Sequence, residues 1–169
     1  LVMLALLVGA CSDFNTVKIK KVNFEEEIQR AQNLVFTFNK ELIDDSVLLN
    51  RWDTLSYIKF EPAIGGKFMW TARNELTFSP SGALPPSTEY KAVPLPLLLE
   101  KVKKDYSLDE EPVIFHTPYL TVNAINTFWA LSEDPASRIE VRLLINFNNP
   151  VSPVKLRPLL KISVAGKLQ

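Results

Sequence analysis

The sequence is short of the residues that most chemistry requires. Its one cysteine, Cys11, rules out an internal disulfide and any cysteine-built metal site. Its one histidine, His116, is the only imidazole base available for a nucleophilic triad, and it stands beside Pro118 at what reads as a domain junction, where a hydrogen-bonded structural role or an exposed one is expected. Five scattered glycines form no phosphate-cradling loop. Lys+Arg and Asp+Glu stand at 19 each, so charge gives no case for a nucleic-acid partner. The apolar run that opens the chain, Leu1 to Ala10, is half the about 20 residues a membrane-spanning helix needs. No enzyme activity, cofactor or metal is expected within this chain. Carboxylates do cluster at Glu25-Glu26-Glu27, Asp44-Asp45 and Asp109-Glu110-Glu111. Such groups can act as acid and base or bind calcium, but runs of this kind on loops are ordinarily solvated.

Proline and phenylalanine are plentiful, at 12 and 10 among 169 residues, and 47% of the chain is hydrophobic. Proline punctuates helices and phenylalanine suits pleated, half-buried surfaces, so short strands and many turns are expected. The length fits one large domain or two of about 85 residues. The start at Leu1 and the end at Gln169, within a strand pattern, are read as the ends of a fragment.

Uncharged Leu1 to Ala10 resembles the apolar core of a signal peptide. Small Gly9 and Ala10 stand directly before Cys11, and Leu7-Val8-Gly9-Ala10-Cys11 resembles the bacterial lipobox. That resemblance implies a diacylglycerol on the Cys11 thiol and cleavage that leaves Cys11 as the first residue. The partner so implied is a membrane, reached through acyl chains, and the location is the bacterial cell envelope, on its periplasmic side or outer-membrane surface. Residues 11–23, polar and carrying Lys18, Lys20 and Lys21, are expected to be a tether of up to about 40 Å.

Past the tether, turn chemistry recurs between alternating segments. Phe24 to Gln32 reads as a short helix or an irregular edge. Leu34, Phe36 and Phe38 share one strand face; Ile58 and Phe60, Phe68 and Trp70, and Leu76 and Phe78 follow in the same manner. Gly65-Gly66 reads as a hairpin. Leu84-Pro85-Pro86-Ser87-Thr88-Glu89-Tyr90 leads into a strand-initial tyrosine, either a corner whose phenol bonds upstream backbone or a core aromatic. Leu97 to Lys104 is expected to form one short amphipathic helix near 96–104, its lysines a solvated face or a basic patch. Asp105 to Glu111 reads as an acidic loop, and Pro112 to Phe115 as the last strand. The fold class is all-β: an immunoglobulin-like β-sandwich over residues 24–118, then the start of a second, incomplete module over 119–169.

The second module is read from an internal repeat. Leu34-Val35-Phe36-Thr37-Phe38-Asn39-Lys40 matches Leu143-Leu144-Ile145-Asn146-Phe147-Asn148-Asn149 in pattern, each strand ending on Asn. Ile58-Lys59-Phe60 with Gly65-Gly66-Lys67 is echoed by Ile162-Ser163-Val164 with Gly166-Lys167. A half sandwich exposes its inner face and a strand edge, so its remaining strands are expected beyond Gln169.

Taken together, the lipobox, Phe36-Thr37-Phe38-Asn39-Lys40, Glu75 to Pro80, Leu84 to Tyr90 and Phe115-His116-Thr117-Pro118 resemble the N-terminal region of bacterial alpha-2-macroglobulin-family lipoproteins, especially the Bacteroidetes type. The resemblance spans most of residues 11–169, and its middle motifs also resemble general bacterial Ig-like modules. It implies a protease trap, with proteases as partners of the full-length protein through a bait segment and, in many members, a Cys-x-Glu-Gln thioester. Cys11 is followed by Ser12-Asp13-Phe14 and is not that thioester, so this chain would supply anchor and scaffold. The other class of function is the stalk of an Ig-like adhesin or glycan-binding surface lipoprotein.

Overall fold

The alternation at Leu34, Phe36 and Phe38 becomes one inner face of a two-layer sandwich. The computed structural model describes residues 15–45, 51–100, 102, 105–133, 138–161, 163–164 and 167–168. The chain divides into two compact units between Pro118 and Tyr119.

The first unit carries β1 (Thr16–Val17), β2 (Ile19–Val22), β3 (Leu34–Phe38), β4 (Ile58–Glu61), β5 (Gly66–Ala72), β6 (Glu75–Pro80), β7 (Glu89–Pro94), β8 (Ser107–Leu108) and β9 (Val113–His116). One sheet runs β2-β3-β6-β5 and the other β4-β7-β9, all antiparallel. Four strands facing three in this order is the constant-type immunoglobulin arrangement. β1 and β8 form a separate parallel pair.

The phenylalanines explain why the layers close. Phe60, from the three-stranded sheet, has Phe78 at 4.5 Å and Phe36 and Phe68 at 6.4 Å, all from the opposite sheet. Phe115 lies 6.4 Å from Phe60 and stacks on Tyr90 at 5.4 Å. Leu34, Phe36, Phe38, Leu76, Phe78 and Phe115 are fully buried. Each such side chain contributes roughly 1.5–3 kcal/mol of burial.

Four local expectations are corrected here. Thr16 to Val22, expected as tether, are strands: β2 pairs with β3 as Ile19↔Phe38, Lys21↔Thr37 and Val22↔Phe36. A bulge between Ile19 and Lys21 turns both Ile19 and Val22 toward the core while Lys20 and Lys21 stay exposed. The extra residue breaks the two-residue alternation that would have announced a strand.

Gly65-Gly66 is not a hairpin, because β4 and β5 lie in different sheets; the hairpin is β5–β6, turning at Arg73-Asn74. Glycine is required at 66 for close approach, since a Cβ there would sit 2.4 Å from the Phe78 ring and 2.5 Å from the Ser79 carbonyl. In place of a helix over 96–104 there is one 3₁₀ turn, Pro96–Leu99. Leu98 is buried and Leu97, Leu99 and Val102 pack on the core, so apolar side chains on successive residues draw the segment inward instead of along one helical stripe. Lys101, Lys103 and Lys104 lie outside the described residues. The acidic loop contains β8. Phe24 to Gln32 is irregular, held by a parallel bridge between Glu27 and His116.

The second unit has β10 (Val122–Leu131) and β11 (Ile139–Phe147) in a long antiparallel ladder, then a one-turn helix α1 (Pro153–Leu156), a 3₁₀ turn (Arg157–Leu159), and β12 (Ser163–Val164) paired with β13 (Lys167–Leu168). The sequence echo between 58–67 and 162–167 is therefore not an echo in pairing, because β4 and β5 are not paired with each other. None of the described residues between 119 and 161 is fully buried.

Candidate functional site

Cys11, the proposed lipidation residue, lies outside the described residues, as do Leu1 to Phe14 as a whole. The other chemically versatile groups are brought into structural roles. His116 ends β9; its amide donates to the Glu26 carbonyl at 2.7 Å, and its own carbonyl accepts from Ile28 N–H at 2.9 Å. Its Nδ1 lies 3.1 Å from the Thr117 carbonyl and 3.9 Å from Glu27 Oε2. The histidine thus pins the irregular segment along the edge of β9.

The acidic runs are likewise distributed. Glu25, Glu26 and Glu27 are exposed. Asp45 receives a two-point ion pair from Arg73, which also reaches Glu41 at 3.3 Å. The Arg73 hydrogen bond holds the Asp45 carboxyl below its ordinary range. Asp109 Oδ1 accepts the Glu111 amide at 3.0 Å, a local turn. Among the described residues no three His, Cys, Asp or Glu side chains gather as metal ligands. No helix among them is long and apolar enough to cross a membrane. An open concavity of about 370 Å³, lined by Trp52, Lys67, Ser79 and Ser81 among others, presents one aromatic face.

The quoted motifs meet at a clasp. Thr117 is wholly buried; its hydroxyl donates to the Pro85 carbonyl at 2.7 Å and accepts the Thr88 amide at 3.1 Å. Thr117 N–H bonds the Thr88 carbonyl at 3.0 Å, and Ser87 N–H the Pro118 carbonyl at 3.0 Å. Ser87 takes φ 52, the left-handed region that a non-glycine residue enters at a cost of about 1–2 kcal/mol. Leu84-Pro85-Pro86-Ser87-Thr88 and His116-Thr117-Pro118 are therefore two halves of one closure that ends the first unit. Tyr90, beyond it, is a core aromatic. Burial raises its pKa, and a hydrogen bond with the Thr88 side chain partly offsets that rise.

A second arrangement occurs twice. Asn39 N–H donates to the Lys18 carbonyl at 3.1 Å, its Oδ1 accepts Lys18 N–H at 2.9 Å, and its Nδ2 donates to the Thr16 carbonyl at 2.9 Å. Asn148 does the same to Thr121 and Tyr119, at 3.1, 2.9 and 2.8 Å. The strands beyond these latches share register and bulge: Ile19↔Phe38 then Lys21↔Thr37, and Val122↔Phe147 then Ala124↔Asn146. Sequence reading noted the shared terminal Asn but not its purpose. The bonding roles of the two latches and of Thr117 are not legible in local sequence; the recurrence of Asn at one place in both repeats is the one signal of the latches.

The chain is 24% identical over 165 residues to an alpha-2-macroglobulin of Pasteurella multocida (strain Pm70), a match that takes in 91% of this chain and 8% of that protein. The chain thus spans about a twelfth of the length of this curated relative. No protein-family model matches it. Among solved structures, an L,D-transpeptidase from Mycobacterium smegmatis aligns at 9% identity and TM-score 0.40, over 78% of this chain and 76% of that one. L,D-transpeptidase 3 from Mycobacterium tuberculosis aligns at 14% identity and TM-score 0.38, over 87% and 53%.

Proposed function

We propose that this chain is the membrane-proximal scaffold of a macroglobulin-like protease trap, held at the bacterial envelope by a lipid on Cys11 and taking no catalytic part itself. The observation that carries this reading is the likeness to a bacterial alpha-2-macroglobulin over 91% of the chain. The described residues supply bonded, load-carrying contacts: a sandwich, a clasp at Thr117 and a latch at Asn39. His116, Asp45 and Asp109 are each engaged in local structural bonds, which suits a scaffold.

The pairing of Thr16 with Ser107 sharpens the anchoring geometry. At most five peptide steps, about 18 Å of fully extended chain, separate Cys11 from the first module. A lipid there would hold the sandwich close to the bilayer surface, without the long tether expected from sequence.

Two measurements test the reading. Radiolabelled palmitate should label the protein in a bacterial host, and Cys11→Ala should abolish the label; a label that persists removes the anchor. The full-length protein, mixed with an active protease, should retain it in a high-mass complex, covalently where a thioester is present. A protease that elutes free after cleaving the protein removes the trap.

A further inference from the structure

Two hollows of the first unit meet at the end of β6. One, of about 370 Å³, runs from Trp52 and Lys67 to Ser79, Pro80 and Ser81. The other, of about 410 Å³, continues from Pro80 and Ser81 to Gln32 and Asn33. Each has the size of a small-ligand site, and the residues they share join them into one open trough.

Fixed contacts hold its walls. Asp53 and Phe68 exchange two backbone bonds of 2.8 Å, which lay the segment bearing Trp52 along the outer edge of β5. The Asp53 carboxylate accepts from the Leu55 amide at 3.0 Å and the Tyr57 hydroxyl at 3.1 Å, bracing that segment from within. The Ser81 amide and hydroxyl both donate to the Gly65 carbonyl, at 2.8 and 3.0 Å. Leu84 N–H donates to the Arg30 carbonyl at 2.8 Å and Arg30 Nε to the Leu84 carbonyl at 2.5 Å, which sets residues 31–33 beside 80–83. Trp52 is 39% exposed and thus stands on a braced wall.

The trough offers an indole, a cation and neutral polar groups. Lys67 lies opposite Ser79 across β5–β6, and the described lining residues include no carboxylate. An indole face suits the C–H surface of a sugar ring, hydroxyls and amides suit its hydroxyl groups, and an ammonium suits a carboxylate substituent. A strand-adding peptide fits less well, because Asp53 already holds the edge of β5 at Phe68. A nucleic acid fits less well too, since one lysine is little against a phosphate backbone.

We infer that this trough binds a carboxylate-bearing oligosaccharide, with one sugar ring on Trp52 and its acid on Lys67. Ser79, Ser81, Gln32 and Asn33 bond the neighbouring units. The inference gives the first module a ligand of its own and depends on neither the lipid anchor nor protease trapping.

Electrophoresis of the full-length protein in native gels cast with polysaccharide tests it. At least one of polygalacturonate, alginate and hyaluronan should retard the protein, and more strongly than neutral dextran does. Trp52→Ala should weaken that retardation about tenfold, with the thermal midpoint of the protein unchanged. Lys67→Gln should bring the acidic polymer down to the level of dextran. Leu55→Ser, at an exposed apolar residue of the same segment outside the trough, should leave binding as it was. Absence of retardation by all three acidic polymers overturns the inference. So does retardation that survives Trp52→Ala, which would assign it to another surface, and retardation by dextran equal to that by the acidic polymers.

Discussion

Asn39 and Asn148 make the same three hydrogen bonds and close strand pairs of the same register and bulge, yet the residues these pairs present fare differently. Phe36 and Phe38 are sealed beneath a second sheet, whereas their counterparts Ile145 and Phe147 are only half-buried. The contrast separates two physical levels. A strand pair forms from alternation, β-branched and aromatic residues, and a few bonds at its end, all within a short stretch of chain. Burial is a property of the second layer, supplied by residues distant in sequence. The same hairpin can therefore exist with or without its roof, and its stability differs accordingly.

The largest expected difference is at the equated core positions. Phe36→Ala should destabilise the first unit by about 3–5 kcal/mol, because a packed ring leaves a cavity. Ile145→Ala should cost no more than about 1 kcal/mol in the 169-residue chain, the range of partly exposed sites. Denaturant unfolding followed by tryptophan fluorescence and by near-UV dichroism measures both, and equal losses would break the comparison. Next comes the clasp that closes the first unit. Thr117→Val keeps the shape but leaves the Pro85 carbonyl and Thr88 amide without their buried partner, an expected loss of about 1–3 kcal/mol. Faster amide exchange at Ser87 and Thr88 should accompany it; unchanged exchange would show that the Thr117 hydroxyl does not hold the two segments together.

The smallest effects sharpen the likeness itself. Asn39→Ala removes two part-buried side-chain bonds and should lower stability by about 1–2 kcal/mol. Asn148→Ala removes two exposed bonds, where water replaces the lost partner, and should lower it by about 0.5 kcal/mol or less. In both variants amide exchange should quicken first at the latched residue, Lys18 or Thr121. If Thr121 exchanges as before, the second latch is not a working copy of the first.

Much of the sandwich could be read from residues alone. Strands at Leu34–Phe38, Ile58–Glu61, Lys67–Thr71 and Leu76–Phe78 announce themselves because one face of each alternates and a turn follows. β2 was hidden because its bulge places two lysines between apolar residues that nonetheless share a face. The 3₁₀ turn at Pro96–Leu99 reads in sequence as part of a longer helix because three consecutive leucines satisfy a helical pattern as readily as a turn pressed against the core. Gly65-Gly66 signalled a turn, but no local feature tells a hairpin from a crossing between sheets. The two halves of the clasp lie apart in the chain, and Thr117 and Pro85 meet only across the fold.

What the sequence by itself determined is local: the all-β character, the alternating faces, the pair of Asn-terminated strands and the scarcity of catalytic groups. These follow from side-chain size, polarity and spacing within a few residues. Only the tertiary structure decided that residues 16–22 belong to the first module, that β4 and β5 part into opposite sheets, that Thr117 locks onto Pro85 and Thr88, and that one of two like strand pairs is buried and the other bare. Each of those depends on which distant segments share a layer, and alternation sets which face is apolar without setting what will lie against it.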